Sequence, residues 1–200
     1  PRPTAMATAI PTAADTKERR QLATVIEPNY YGGGVGVFLR PGVFFDDWQA
    51  LRGVELCALQ GSYFNKPITQ RHLVRLQIYR SVRDAQLALR DGRCTGFLYT
   101  DVAIQQYLKD PEWTGYTAPL PSALIIPWAI SIARAESGTE FERVVGDIVA
   151  QWHRDGTLIE LEAAWDIQPN RFLQDAHRLW NEREADGSWL CERGADGQWP

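Results

Sequence analysis

The stretch Val54-Glu55-Leu56-Cys57-Ala58-Leu59-Gln60-Gly61-Ser62-Tyr63-Phe64 decides the fold. Its apolar first half predicts a strand that ends at Gly61-Ser62, where a helix is expected to begin. A second apolar strand over 96–100 is followed by the carboxylate of Asp101. Because open α/β sheets bind ligands at the carboxyl ends of their parallel strands, both strand ends are expected at one ligand-binding edge. Helix-start amides favour an anion and Asp101 favours a cation, so the pair suits a zwitterion such as an amino acid.

Strands and helices alternate around this stretch. They are predicted in the order strand 54–60, helix 62–72, strand 74–79, helix 81–90, strand 95–100 and helix 101–109. Ser81 followed three residues later by Asp84 is typical of a helix start, and Asp91-Gly92 is typical of a helix end. This alternation predicts the α/β fold class, with a parallel sheet between helices.

The flanking segments are more varied. Residues 1–15 are predicted to be irregular, and residues 28–34 to be a loop before a strand over 35–39. The other predicted elements are helices over 16–23 and 44–51, a strand over 128–133, and helices over 141–154, 157–165 and 172–183. A ten-residue near-repeat follows, Ala185-Asp186-Gly187-Ser188-Trp189 and Ala195-Asp196-Gly197-Gln198-Trp199, for which we expect a frayed or accessory tail.

Composition excludes several classes of function. The chain has 200 residues, 44% hydrophobic and 23% charged, which is typical of a globular protein. Its net charge of −4 and its scattered basic residues argue against a nucleic-acid partner. No apolar run approaches the roughly 18 residues of a membrane helix. The first residues have no basic region and no initiator methionine, so we expect a processed or truncated chain without a signal peptide.

The cysteines and histidines show no metal-binding spacing, and we expect neither a metal nor a cofactor. Cys57 and Cys94 are expected in neighbouring strands. A disulfide between them is one alternative, and two buried thiols are the favoured one. His72, His153 and His177 are expected on helix surfaces or in simple packing roles.

Several short motifs follow one another in a familiar order. They are Thr16-Lys17-Glu18-Arg19 with the later Pro28-Asn29-Tyr30-Tyr31, Leu51-Arg52-Gly53-Val54 with Gln60-Gly61-Ser62, Tyr79-Arg80-Ser81 with Ala88-Leu89-Arg90-Asp91-Gly92-Arg93, Asp101, and Asp155-Gly156-Thr157 with Trp165. In this order, over about residues 14–165, the chain resembles the family 3 extracellular solute-binding proteins. These are the periplasmic amino-acid receptors of ABC importers.

The resemblance implies a type II periplasmic-binding-protein-like fold with two parallel-sheet lobes joined by a hinge. Lobe 1 would comprise residues 1–38 and 125–182, lobe 2 would comprise residues 39–124, and residues 183–200 would form the tail. Lobe 1 would be incomplete, because the N-terminal strands and helices that usually help to choose the ligand side chain are not present in this sequence.

The resemblance also implies roles for two residues near the start of the chain. Arg19 would clamp the ligand carboxylate through parallel hydrogen bonds, and Thr12 would fill one of the family's hydroxyl positions. The alternative for Arg19 is a solvated helix arginine next to Arg20. Tyr30, Tyr31 and Trp128 would lie near the hinge, as stacking surfaces or as core.

The remaining implied ligand-binding residues are Gly61, Ser62, Tyr63 and Asp101. Gly61 and Ser62 would present amides and a hydroxyl to the carboxylate, and Tyr63 would line the site. Asp101 would accept the ligand ammonium. The structural alternatives are a helix cap for Ser62 and for Asp101, and a simple covering role for Tyr63.

The expected function is therefore capture of a small zwitterion, an L-amino acid, between two lobes, with hinge closure and delivery to an ABC permease. We expect a periplasmic monomer that is not an enzyme. Two alternatives stay open: an enzyme on the same fold, similar to cyclohexadienyl dehydratase, and a sensory ligand-binding domain. No convincing pair of catalytic carboxylates and no nucleophile with its base is found in the sequence.

Overall fold

The structure, a computed structural model, describes residues 12–194, Gly197 and Trp199. The chain divides into two compact units, which we call unit 1 (Pro1–Gly32 with Ile126–Pro200) and unit 2 (Gly33–Ile125). The predicted lobe boundaries, at 38/39 and 124/125, are not tested by this division and stay predictions. The irregular segment expected over 1–15 lies mostly outside the described residues, as does part of the second copy of the tail repeat.

Unit 2 contains a mixed sheet with the strand order β3-β6-β4-β5. Its elements are β3 (Tyr31–Leu39, which begins in unit 1), β4 (Glu55–Leu59), α2 (Asn65–His72), β5 (Arg75–Tyr79), α3 (Val82–Arg90), β6 (Gly96–Thr100) and α4 (Asp101–Lys109). β4 is parallel to both β5 and β6, whereas β3 is antiparallel to β6. The predicted alternation of strands and helices is confirmed, with Ser81 as the cap of α3.

Helices cover both faces of this sheet. Because successive side chains of a strand point to opposite faces, Leu56 and Ala58 pack with Ile68 of α2, whereas Cys57 packs with Leu89 of α3 and Ile104 of α4. These positions, like most of β4, are fully buried. The sheet is therefore held between two apolar cores.

Two local expectations in this region are wrong. Residues 32–34 belong to strand β3 and not to a loop. The helix predicted over 44–51 is a single 3-10 turn, Gln49–Leu51, whose first amides are bonded by the Asp47 carboxylate.

The expectation of two free thiols is also wrong. Cys57 and Cys94 form a disulfide with their Cα atoms 5.6 Å apart. Cys57 lies opposite Phe97 in the parallel pairing of β4 with β6, and Cys94 precedes β6, so the sheet brings the two sulfur atoms together. Cys191 is free and buried.

Unit 1 combines antiparallel strands with helices. Its elements are β1 (Thr12–Ala14), α1 (Lys17–Arg20), β2 (Thr24–Val25), β7 (Ala123–Ile132, which begins in unit 2), α5 (Glu140–Asp155), α6 (Thr157–Ala164) and α7 (Arg171–Trp180). β1 and β2 both pair with β7 in antiparallel orientation, unlike the parallel lobe that the resemblance implies. α5 ends as predicted at Gly156, whose φ of +80° suits glycine.

The described residues of the C-terminal segment belong to unit 1 and pack there. Cys191 is only 8% exposed, and the Trp199 ring lies 4.9 Å from the ring of Trp180. His153 is 2% exposed and not at a surface, because α5 turns it toward the segment before β3. Within the described residues, every helix is too short or too polar to span a membrane.

Candidate functional site

The carboxyl edge of the unit 2 sheet holds the candidate site. β4 pairs in register with both neighbours, Leu59 with Tyr79 of β5 and Leu56 with Gly96 of β6. The parallel strands therefore end level with one another. Gly61-Ser62 follows β4 and Asp101 follows β6, so the strand pairing brings both to the same edge.

Gly61 forms the turn that leaves β4. Its φ is +76°, a conformation that L side chains rarely adopt, and a Cβ at this position would meet nothing within 4 Å. Glycine is thus needed for its positive φ, and a side chain at this position would not clash with the rest of the protein. Gly61 is exposed and Ser62 is half-buried.

Ser62 does not cap α2, so that structural alternative is wrong. The helix begins at Asn65, with Phe64 as the capping residue and no side-chain bond from it. The amide of Ser62 donates to the carbonyl of Leu59 over 3.4 Å, and the side chain of Asn65 donates to the same oxygen over 2.7 Å. The side chain of Asn65 therefore closes this turn with a hydrogen bond.

Tyr63 packs against the core of unit 2. Its ring centroid lies 5.1 Å from that of Phe64, at 74° between the planes, and it joins the core on the α2 face. The residue is half-buried, so one side of it remains at the surface.

The carboxylate of Asp101 is fixed by two backbone amides. Its Oδ1 accepts from Val102 N at 2.8 Å, and its Oδ2 accepts from Gly34 N at 3.0 Å. A carboxylate oxygen can accept more than one hydrogen bond, so each keeps capacity for a ligand donor. The capping residue of α4 is Thr100 and not Asp101, which lies inside the first turn. The arrangement holds a negative charge in a defined orientation at a half-exposed position.

Sequence reasoning missed Gly34. A Cβ there would lie 2.9 Å from Asp101 Oδ2, 2.9 Å from Ser122 Cβ and 3.0 Å from the carbonyl oxygen of Ala123. Only glycine lets β3 come this close to the start of α4. The run Gly32-Gly33-Gly34 predicts a loop, because glycine is a typical turn residue.

Arg19 lies in unit 1, on the short helix α1. The Thr16 hydroxyl accepts from its amide at 3.3 Å, and its Nη1 donates to the carbonyl of Ala14 at 3.0 Å. This bond uses one of the several N–H donors of the guanidinium. Arg19 is therefore oriented along β1 at a half-buried position and keeps donors for an anion.

The neighbouring Arg20 is a structural residue. It makes two bonds of 2.6 Å to the Asp15 carboxylate and one of 2.8 Å to Glu27. The hydrogen bond from Arg20 lowers the pKa of Asp15, and the same bond raises the pKa of Arg20. Of the two adjacent arginines, Arg19 is thus the one suited to a ligand.

The other predicted features are placed as follows. Thr12 pairs opposite Ile130 in β1, and its side chain lies outside the described part of the structure. The Tyr31 ring lies 5.3 Å from that of Trp128, and its hydroxyl donates to Glu162 at 2.6 Å. Among the described residues, no group of three or more His, Cys, Asp or Glu side chains is arranged to hold a metal ion.

Comparison with solved structures identifies the fold. A mutant of ArgBP from T. maritima is matched with a TM-score of 0.65 and 13% identity, over 76% of this chain and 66% of that one. The substrate-binding protein of an amino acid ABC transporter is matched with a TM-score of 0.65 and 18% identity, over 76% and 67%. The chain thus has an α/β fold of the periplasmic-binding-protein type, and it spans about two thirds of the length of these proteins.

A third match concerns the enzyme alternative. An ancestral amino acid-binding protein that is a precursor of cyclohexadienyl dehydratase is matched with a TM-score of 0.63 and 15% identity, over 76% of this chain and 64% of that one. No protein-family model matches the sequence, and no curated protein matches it. At these identities the comparisons show the fold alone.

Proposed function

We propose that this protein binds a small zwitterion, an L-amino acid, as the solute-binding component of an ABC importer. The observation that carries the proposal is the Asp101 carboxylate, fixed at 2.8 and 3.0 Å by two amides at the edge where Gly61 opens the neighbouring turn. The likeness of the fold to amino-acid-binding proteins supports it.

In this mechanism binding is physical and no covalent step occurs. Asp101 accepts hydrogen bonds from the ligand ammonium. Arg19, the backbone of Gly61 and the hydroxyl of Ser62 bind the carboxylate, and a guanidinium matches a carboxylate through two parallel hydrogen bonds. Tyr63 lines the site, and the hydroxyl role of Thr12 stays a prediction. Ligand binding shifts the population of the protein toward the conformation that binds the ligand more tightly.

The cellular setting belongs to the same proposal. The disulfide between Cys57 and Cys94 is typical of an oxidising compartment, which supports a periplasmic location. The protein would act there as a monomer and deliver its ligand to a membrane permease.

A thermal-shift screen against the common L-amino acids tests the proposal. A ligand at 100 times its dissociation constant adds about 2.7 kcal/mol to the free energy of unfolding, which moves the melting temperature visibly. We expect one chemical class of amino acid to shift it. A cooperative melt that no amino acid shifts would contradict the proposal.

Substitution of Asp101 then locates the site. We expect Asp101→Asn to weaken binding by about 1–3 kcal/mol, because the ligand ammonium loses its charged partner. The matched control is Asp84→Asn, which removes a carboxylate that bonds Ser81 at the start of the neighbouring helix α3. Equal affinity of the wild type and Asp101→Asn would place the site elsewhere.

The match to a dehydratase precursor keeps an enzyme as the second candidate. Incubation with a cyclohexadienyl acid, followed by the ultraviolet absorbance of an aromatic product, tests it directly. Turnover that Asp101→Asn abolishes would favour the enzyme, and binding without turnover would favour the receptor.

A further inference from the structure

The tail contains one local structure twice. The pattern Arg-x-Ala-Asp-Gly-x-Trp occurs at 183–189 and again at 193–199. In each copy the arginine Nη1 donates to the carbonyl of the glycine at 2.6 Å, and its guanidinium lies over the tryptophan ring, at 3.5 Å in the first copy and 4.2 Å in the second. Both glycines have positive φ, 88° and 76°. We call these the first turn and the second turn; the structure describes Arg193, Gly194, Gly197 and Trp199 of the second.

The second turn is fastened to helix α5. Arg193 Nε donates to Asp147 Oδ1 at 2.6 Å, and Arg193 Nη2 donates to the Arg143 carbonyl at 3.3 Å. The Arg193 side chain is 21% exposed and that of Asp147 is 40% exposed, so the pair lies at the edge of the surface. Trp199, the tryptophan under this arginine, is thereby held near helix α5.

From this position Trp199 reaches the segment before β3. Its Nε1 donates to the carbonyl of Glu27 at 2.9 Å. Helix α5 approaches the same oxygen through Gly146, where a Cβ would lie only 2.6 Å from it. His153, also on α5, bonds the carbonyl of Asn29 at 2.8 Å. The segment 27–29 is therefore held by the tail and by α5 together.

The same segment holds the helix that carries Arg19. Arg20 donates to the Glu27 carboxylate at 2.8 Å and makes two bonds of 2.6 Å to Asp15, two residues before α1. Asn29 adds a bond of 3.3 Å to the Asp15 carboxylate. An unbroken path of contacts thus runs within unit 1 from Trp199 through Glu27 and Arg20 to the start of α1.

We infer that the second turn is a brace that positions Arg19, with Trp199 as a positioning residue for recognition of the ligand carboxylate. The part that concerns the ligand rests on the proposed function. The first turn supplies an internal comparison. The guanidinium groups of Arg183 and Arg154 lie over the ring of Trp189. In the described part of the chain, Trp189 makes no hydrogen bond to the segment 27–29.

Hydrogen exchange in the ligand-free protein tests the brace. Trp199→Phe keeps an aromatic ring over Arg193 and removes the Nε1 donor, and Trp189→Phe makes the matched change in the first turn. We expect Trp199→Phe to speed exchange several-fold at the amides of Gln21, Leu22 and Ala23, which bond back into α1. We expect α3 to be unchanged in both variants. Equal protection of residues 21–23 in the wild type and Trp199→Phe would overturn the inference.

Ligand affinity tests the positioning role. We expect Trp199→Phe to weaken binding of the L-amino acid several-fold while affinity for the corresponding amino-acid amide changes little, because only the former presents a carboxylate to Arg19. A general loss of stability would weaken the binding of both ligands. That result would overturn the positioning role of Trp199. Equal selectivity for the two ligands in the wild type and the variant would overturn it too. If the wild type binds no amino acid, the proposed function fails, and the exchange measurement by itself upholds or overturns the brace.

Discussion

Gly34 and Asp101 depend on each other at the candidate site. The amide of Gly34 bonds the Asp101 carboxylate, and the space that its missing side chain leaves is filled by that carboxylate, Ser122 and the Ala123 backbone. Because the Ala123 oxygen cannot move aside cheaply, we expect Gly34→Ala to lower the free energy of unfolding by about 1–3 kcal/mol and to displace the Asp101 side chain. Urea denaturation measures the first effect.

Gly36→Ala is the matched control for this change. It lies two residues along the same strand, and a Cβ there would meet the end of the Ile104 side chain at 3.2 Å. A flexible side chain can give way, so we expect a clearly smaller loss. Equal losses at both positions would show that the close approach at Asp101 does not distinguish Gly34.

His153 predicts a loss of stability in mild acid. Burial lowers its pKa, the carbonyl of Asn29 occupies Nε2, and among the described residues Nδ1 has no hydrogen-bond partner. The unfolded chain therefore binds a proton more readily than the folded one. Stability from this group is complete above the ordinary pKa of about 6.5 and is lost as the pH falls below it toward the folded value.

We expect the free energy of unfolding to fall by up to about 1.4 kcal/mol per pH unit below about pH 6.5 for each such histidine. His153→Gln keeps a donor for Asn29 and removes the titration, so its profile should be flatter in urea melts between pH 7 and 5. Burial also lowers the pKa of His72, and His72→Gln separates that contribution. A profile that is equally steep without both histidines would contradict this account.

These two residues show what local pattern reasoning misses. Gly34 lies in a run that is typical of a turn, and its role depends on a contact with Asp101, far away in the sequence. His153 lies among polar neighbours on α5, and its burial depends on the segment that carries Asn29. Asp101 and Gly61 were accessible to sequence reasoning because strand ends and left-handed turns leave local signals.

The disulfide matters most at the scale of elements, because it joins β4 to the segment before β6. It closes a loop with a sequence separation of 37 residues. In the chain-entropy model such a cross-link stabilises the folded state by about 4 kcal/mol through its effect on the unfolded chain. We therefore expect the double variant Cys57→Ala with Cys94→Ala to lose about that much, as measured by urea denaturation.

Cys191→Ala is the comparison variant for this loss. Cys191 is free and belongs to unit 1, so its replacement removes a buried thiol without removing a cross-link. Addition of a reductant during unfolding should lower the midpoint of the wild type and leave that of the double variant unchanged. If the reductant left the unfolding midpoint of the wild type unchanged, the result would argue against the cross-link.

Elements with strong local signals were predicted well. α3 has the Ser81 cap, α5 has the Gly156 stop, and strands β4 and β6 are short apolar runs. The antiparallel pairing of β1 and β2 with β7 was not predictable, since register between distant segments depends on tertiary contacts. The packing of the tail turns was not predictable, because each described turn holds an arginine over a tryptophan, a contact without periodicity.

At the scale of the molecule, the two units differ in how the chain builds them. Unit 2 is one continuous segment, Gly33–Ile125, with an apolar core on each face of its sheet and the disulfide inside it. Unit 1 is assembled from both ends of the chain. A continuous segment with its own core has what independent folding requires.

We therefore expect residues 33–125, produced alone under oxidising conditions, to fold with a single cooperative urea transition and a free energy of unfolding of roughly 5–10 kcal/mol. The disulfide should contribute about 4 kcal/mol of this, so the reduced segment should be marginal. Circular dichroism at increasing urea, with and without reductant, measures both. A broad, non-cooperative transition of the oxidised segment would show that unit 2 needs unit 1 to fold. A cooperative oxidised segment would instead make the Asp101 edge accessible to ligand titration on its own.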